Sequence, residues 1–231
     1  MSWRDKMYPK MNVFNPDGGD GGSGGYTPPI PVYQRILEIL AERFEKELAK
    51  NRPHLIGLIF GKPYVELVEK QIRPDLEHLH HRSSSYIDFF TVGFSATGTF
   101  DAEKYNTTLR TFEANTHWQP SGGTDLILLN VQYDLATKKV TPDFTSALSV
   151  KLEDVAKVAG FENLGVFFEK VISAAKKDCG VESPSGVSDA FGASLIKSAT
   201  KGLLASIVPE SMKEETKAAF LFAVKDISKK P

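Results

Sequence analysis

The chain is poor in the residues that staple or metallate small proteins. It has one cysteine, Cys179, which excludes an intrachain disulfide, a cysteine-rich zinc site and a CxxC redox pair. No apolar run approaches the roughly 18 residues of a spanning helix. The opening "MSWRDKMYPKMNVFNPDGG" holds no apolar stretch long enough for a secretory signal. The expectation is a soluble, cytoplasmic protein. Neither sign of charge dominates, since 28 basic residues face 29 acidic ones for a net charge of −1. That balance supplies no global attraction to nucleic acid or to an anionic membrane, and no clustered basic helix stands in for it. There is no internal repeat, no GxSxG, no HExxH, no P-loop and no dinucleotide fingerprint, so the sequence implies no cofactor and no recognised metal motif.

What is present divides into three parts. Residues 1–31 are an N-terminal arm and linker. The stretch "PDGGDGGSGGYTPPIP" is too polar and too rich in Gly and Pro to offset its ordering entropy. The residues before it carry Trp3, Met7, Tyr8, Met11, Val13 and Phe14, enough apolar surface to dock on this chain or on a partner. Residues 32–178 alternate helical and strand patterns. Residues 179–231 read as a helical C-terminal extension, with segments at about 188–207 and 210–228.

Within the central part, "VYQRILEILAERFEKELAKN" places Val32, Ile36, Ile39, Leu40, Phe44 and Leu48 on one face of an amphipathic helix. "HLIGLIFG" at 54–61 is a buried strand, followed by the helix "YVELVEKQI", which Pro74 is expected to kink or break. "YIDFFTVGF" at 86–94 is a second strand, and 101–118 a helix that Asp101 can cap. A glycine turn then leads into a third strand ending at 134. "LATKKVTPD" reads as a polar connection to a fourth strand at 144–152, the two forming an antiparallel hairpin. A helix or helix pair covers 153–178, with Gly160 and Gly165 as breaks.

The fold class is therefore α/β, with a mixed sheet in the order β-α-β-α-β-β-α, one helix before it and C-terminal helices after it. That order resembles thioredoxin-like domains; the resemblance is one of element order, and no residue motif accompanies it. Redox members of that fold place two cysteines after the first strand, where this chain reads Gly61-Lys62-Pro63-Tyr64. Dithiol chemistry is excluded whether or not the resemblance holds.

The chemistry-bearing residues fall into two groups. "EHLHHRSSSYIDFF" holds three of the five histidines within four positions, and His78 and His81 share a helix face. Together with Asp88 and His117, His80 and His81 form a candidate catalytic constellation, with or without a divalent metal. The simpler reading is a helix C-terminus, where His⁺ and Arg82 favour the dipole, with Asp88 paired to one of them. The second group follows from strand polarity, because open α/β sheets bind ligands beyond the carboxyl ends of their strands. That rule selects Lys62, Ser95 and Thr97. The loop "HWQPSGGTD" adds Gly122 and Gly123 as a possible anion cradle, and simple turn residues are the plainer account of them. Were the third strand parallel, His117 and Asp125 would join Asp88. Were it antiparallel, the loop would face Lys62, and Pro120 would be a candidate cis-proline.

These features point first to a non-catalytic binding or assembly module, engaging a protein partner or a second copy through the arm and C-terminal helices. A hydrolase or nuclease-like enzyme built on the His/Asp cluster is the alternative, and a small-ligand or nucleotide sensor at Lys62, Ser95 and Thr97 is the third.

Overall fold

The computed structural model describes residues 36–38, 54–83, 87–94, 98–134, 136–158, 161, 163–180 and 223–228. The N-terminal arm, most of the first helix, Ser95, Thr97 and most of the C-terminal extension lie outside these residues. Five strands form one sheet: β1 (His54–Phe60), β2 (Ile87–Thr91), β3 (Asp125–Asp134), β4 (Lys139–Lys151) and β5 (Val224–Asp226), in the spatial order β2-β1-β3-β4-β5. β1 and β2 are parallel, and β3 is antiparallel to β1. The α/β class and the mixed sheet expected from the sequence are what the chain adopts.

Alternation along the strands builds two cores. Leu55, Ile59, Leu126, Leu128, Leu148 and Val150 face a π-helical segment (Val68–Ile72), α1 (Arg73–Ser83) and α4 (Leu164–Gly180). Ile56, Leu58, Phe60, Ile127, Leu129 and Val131 face α2 (Ala102–Asn115) and Ile36 of the first helix. Period-two burial on both faces is what helices on both sides of a sheet require. α2 starts where Asp101 accepts the Lys104 N–H at 3.0 Å, the cap expected from the sequence.

Pro74 does not break its helix. The preceding turn is π-helical, with the Arg73 N–H donating to the Val68 carbonyl, so the ladder has already shifted by one residue where the proline ring enters. The hairpin is also longer than its composition suggests. Thr141–Asp143 belong to β4, and the turn is confined to 135–138, where Asp134 accepts from the Ala136 N–H at 2.8 Å and the Thr137 hydroxyl at 2.8 Å. Among the described residues β5 pairs only with Leu148–Val150, so Pro142 lies on an outer stretch of β4, where a missing N–H is tolerated. A register shift between Leu128 and Asn130 absorbs the extra residues, and the Ser146 hydroxyl bridges it, accepting from Asn130 N–H and donating to the Asp143 carbonyl. α3 (Leu152–Val155) and α4 are separate helices; of the two glycines expected as breaks, Gly160 lies outside the described residues and Gly165 sits in the first turn of α4, whose first N–H is taken by the Gln71 side chain at 3.1 Å. β5 lies in the stretch read as helical, since three residues are too few to show a period of two.

Gly57 lets β1 and a β2 side chain approach closely. Its ladder partner on β2 is Phe89, and a Cβ on Gly57 would lie 2.5 Å from that ring. Gly57→Ala is expected to destabilise the protein by about 1–3 kcal/mol. Phe89→Leu in that background should recover part of the loss, as read by urea denaturation of the four members of the cycle.

Candidate functional site

Phe60 at the end of β1 is the ladder partner of Asp125 at the start of β3. The exit of β1, Gly61–Tyr64, and the entry to β3, Ser121–Thr124, therefore share one end of the sheet. Phe60 anchors this end through rings: 4.6 Å to Trp118, 5.6 Å to Phe112 and 6.0 Å to Tyr105. Such ring pairs add about 0.5–1.5 kcal/mol each beyond their buried area. They fix Trp118, and with it the segment that leads to β3.

That segment is tied down by two carboxylates. Asp125 Oδ2 accepts the Ser121 N–H at 2.8 Å, and Glu153 Oε1, in the first turn of α3, accepts the Thr124 N–H at 2.6 Å. The Gly123 N–H donates to the Ser121 hydroxyl at 3.2 Å. A Cβ at Gly123 would lie 2.7 Å from the Glu153 carboxylate, so a side chain there would oblige that carboxylate to shift. Three of the four amide N–H groups from Ser121 to Thr124 thus serve internal acceptors. An anion approaching Gly122 and Gly123 would compete with two carboxylates.

Asp125 is 4% exposed. Burial pushes its carboxyl up, the Ser121 N–H and hydroxyl and the Trp118 indole oppose that rise, and the charge of Glu153 adds to it. Burial, and then the charges of Asp125 and Tyr64, push the Tyr105 hydroxyl up to about 12. Lys151 stands opposite Asp125 in the β3–β4 ladder but directs its ammonium to Asp154 at 3.1 Å. Among the described residues no lysine, arginine or histidine forms an ion pair with Asp125 or Glu153. Three buried polar atoms here have no hydrogen-bond partner: Thr124 Oγ1, Glu153 Oε2 and Trp118 Nε1. The indole favours the Asp125 anion without completing a hydrogen bond to it.

On the rim, Tyr64 is 77% exposed, and Lys62 lies 5.9 Å from its ring centre. Gln119, Pro120, Ser121 and Gly122 are exposed at the same end of the sheet. No peptide bond among the described residues is cis, Pro120 included. Of the sequence-selected ligand residues, Lys62, Gly122 and Gly123 lie at this end, while Ser95 and Thr97 fall outside the described residues.

The His/Asp constellation is laid out differently. Asp88 pairs with Ile56, four residues along β1 from the Phe60–Asp125 pair, about 13 Å towards the other end of the sheet. It is 1% exposed and bonded within the structure. Arg82 reaches α4 instead, bonding Glu169 at 2.7 Å. His80 and His81 lie in α1, and their side chains are outside the described set. His117 is exposed, and its N–H donates to Ile227 beside β5, on the sheet edge opposite β2. Among the described residues no group of three or more His, Cys, Asp or Glu is placed to hold a metal ion. No helix among them is long and apolar enough to cross a membrane.

Glu153, Tyr105 and Trp118 were not singled out from the sequence. Glu153 reads as an ordinary first-turn acid and Tyr105 as one residue of an amphipathic face. Only the long-range ladder brings them to Asp125. Comparison with family models, curated proteins and solved structures finds no match to this chain.

A raised folded-state pKa at Asp125 means that the unfolded chain releases this proton first as pH rises. The contribution of Asp125 is therefore fully present below the ordinary carboxylate value of about 3.9 and is lost as pH rises through the raised value. Asp125→Asn keeps an acceptor for Ser121 N–H and removes the buried charge. The variant is expected to match the parent in acid and to exceed it at neutral pH. Between those limits the gap should widen by at most about 1.4 kcal/mol per pH step of one. Urea denaturation across pH checks this; a parent that gains on the variant as pH rises would count against it.

Proposed function

We propose that this chain is a binding module without catalytic chemistry of its own, and that it seats a protein partner at the carboxyl end of β1. The observation that carries the reading is Tyr64. A tyrosine 77% exposed, beside Lys62 and a loop of exposed residues, stands at the sheet end where open α/β folds bind their ligands. Exposed tyrosines of this kind supply anchor energy at interfaces. The strand order β2-β1-β3-β4 with β3 antiparallel supports a thioredoxin-like reading of the core. In that reading Gly61-Lys62-Pro63-Tyr64 occupies the dithiol position, and the single Cys179 leaves no pair to do redox work. The N-terminal arm and C-terminal extension are further surface for a partner or for a second copy.

A photo-crosslinking residue at position 64 is expected to give a discrete adduct in the native host. The same residue at Ser173, exposed on α4, should not. Tyr64→Ala should weaken the complex about 10- to 100-fold. Equal labelling from positions 64 and 173 would sink the seat, and an unchanged adduct after deletion of residues 1–25 would remove the arm from it.

A further inference from the structure

Among the described residues two large apolar side chains stand open to water, Tyr64 at 77% and Val166 at 44%. Tyr64 is the larger, and it stands at the carboxyl end of β1, shortly after Phe60, whose ring packs on Trp118. Ile36, sealed from water, belongs to the same buried layer as Phe60 and Trp118. The chain before residue 36 is therefore tethered to the layer that ends at the seat. That tether leads back to the arm, which lies outside the described residues and carries Trp3, Met7, Tyr8, Met11, Val13 and Phe14. Each such side chain gains about 1.5–3 kcal/mol when fully buried, so the arm gains from any apolar surface within reach. The linker from residue 15 to residue 35, rich in Gly and Pro, spans on the order of 25 Å as a random chain. A domain of about 150 residues has a radius of gyration of roughly 15 Å, so a tether of that length serves either end of the sheet.

We propose that residues 1–15 dock on Tyr64 of their own chain, and that a partner gains the seat by displacing them. The inference rests on the seat at the carboxyl end of β1 and names its resident occupant. The recognition is apolar. Trp3, Tyr8 and Phe14 offer rings to the Tyr64 ring, and Met7 and Met11 offer polarisable thioethers that pack on aromatic edges. The tether decides between this occupant and a second copy. A segment held by a short linker meets its seat at an effective concentration in the millimolar range, about a thousandfold above a second copy present at micromolar concentration. The same arithmetic makes the arm a threshold for the partner, whose apparent affinity falls by the fraction of chains in which the arm is docked.

The test uses the purified full chain, with a benzophenone amino acid at position 64, which keeps an aromatic ring there, and the same residue at Val166 as the control. Illumination is expected to link position 64 to a peptide within residues 1–15 of the same chain, with a yield that does not depend on protein concentration. Position 166 should capture the arm far less. Mixing isotope-labelled and unlabelled chains separates links within a chain from links between chains. The paired substitutions Trp3→Ser and Phe14→Ser should cut the yield from position 64 by at least about fivefold, and in the native host raise the partner adduct from position 64. Links formed mainly between labelled and unlabelled chains would overturn docking within the chain. So would equal capture of the arm from positions 64 and 166, or no link from position 64 to residues 1–15. A partner adduct unmoved by the paired substitutions would overturn displacement. The two readings fail separately: a link to the arm with no adduct in the host sinks the partner, and an adduct in the host with no link to the arm sinks the resident occupant.

Discussion

The direction of β3 against β1 is the constraint on which the rest of this structure depends. In the antiparallel ladder the start of β3 lies beside the end of β1, with Asp125 opposite Phe60. Every juxtaposition at the candidate site follows. Phe60 gathers Trp118, Phe112 and Tyr105, and after Trp118 the Ser121 and Thr124 N–H groups meet Asp125 and Glu153. With β3 parallel, the same residues would enter the sheet at its other end, beside Asp88, and the histidine-rich helix end would have been the natural place to look for chemistry.

Much of the fold was legible because its signals are local. Burial on two faces of one sheet shows in the sequence as apolar runs such as "LIGLIF" and "LILLNV", and the Asp101 cap declares itself by residue type and position. The failures have a common cause in non-local context. Pro74 reads as a breaker unless one knows that a π turn precedes it. Pro142 and Asp143 read as loop unless one knows that this stretch of β4 lies outside β5. Neither context is present in a short window of sequence.

The site was legible only in part, for the same reason. Strand polarity alone selects Lys62, and the glycine turn alone selects Gly122 and Gly123. At Gly123, however, the space of a Cβ is taken by the Glu153 carboxylate, far along the chain. The anion-cradle pattern is thus present in the sequence while its N–H groups are committed to the protein's own acids. A Gly-Gly turn before a strand and a phosphate-binding nest look alike until the acceptors are known.

Asp88 and Asp125 both sit on strands of this sheet and are both nearly sealed from water, and their surroundings differ. Asp88, on β2, is bonded within the structure where neighbouring strand residues are apolar. Asp125 shares its site with a second acid, has no ion-pair partner among the described residues, and holds a segment of chain that is otherwise exposed. A buried acid that only completes a core gains from being fully and permanently bonded. A buried acid whose neighbour is another acid, with sealed oxygens beside it, is the costlier of the two arrangements. The incomplete pairing around Asp125 sits at the end of the sheet that also carries Lys62 and Tyr64.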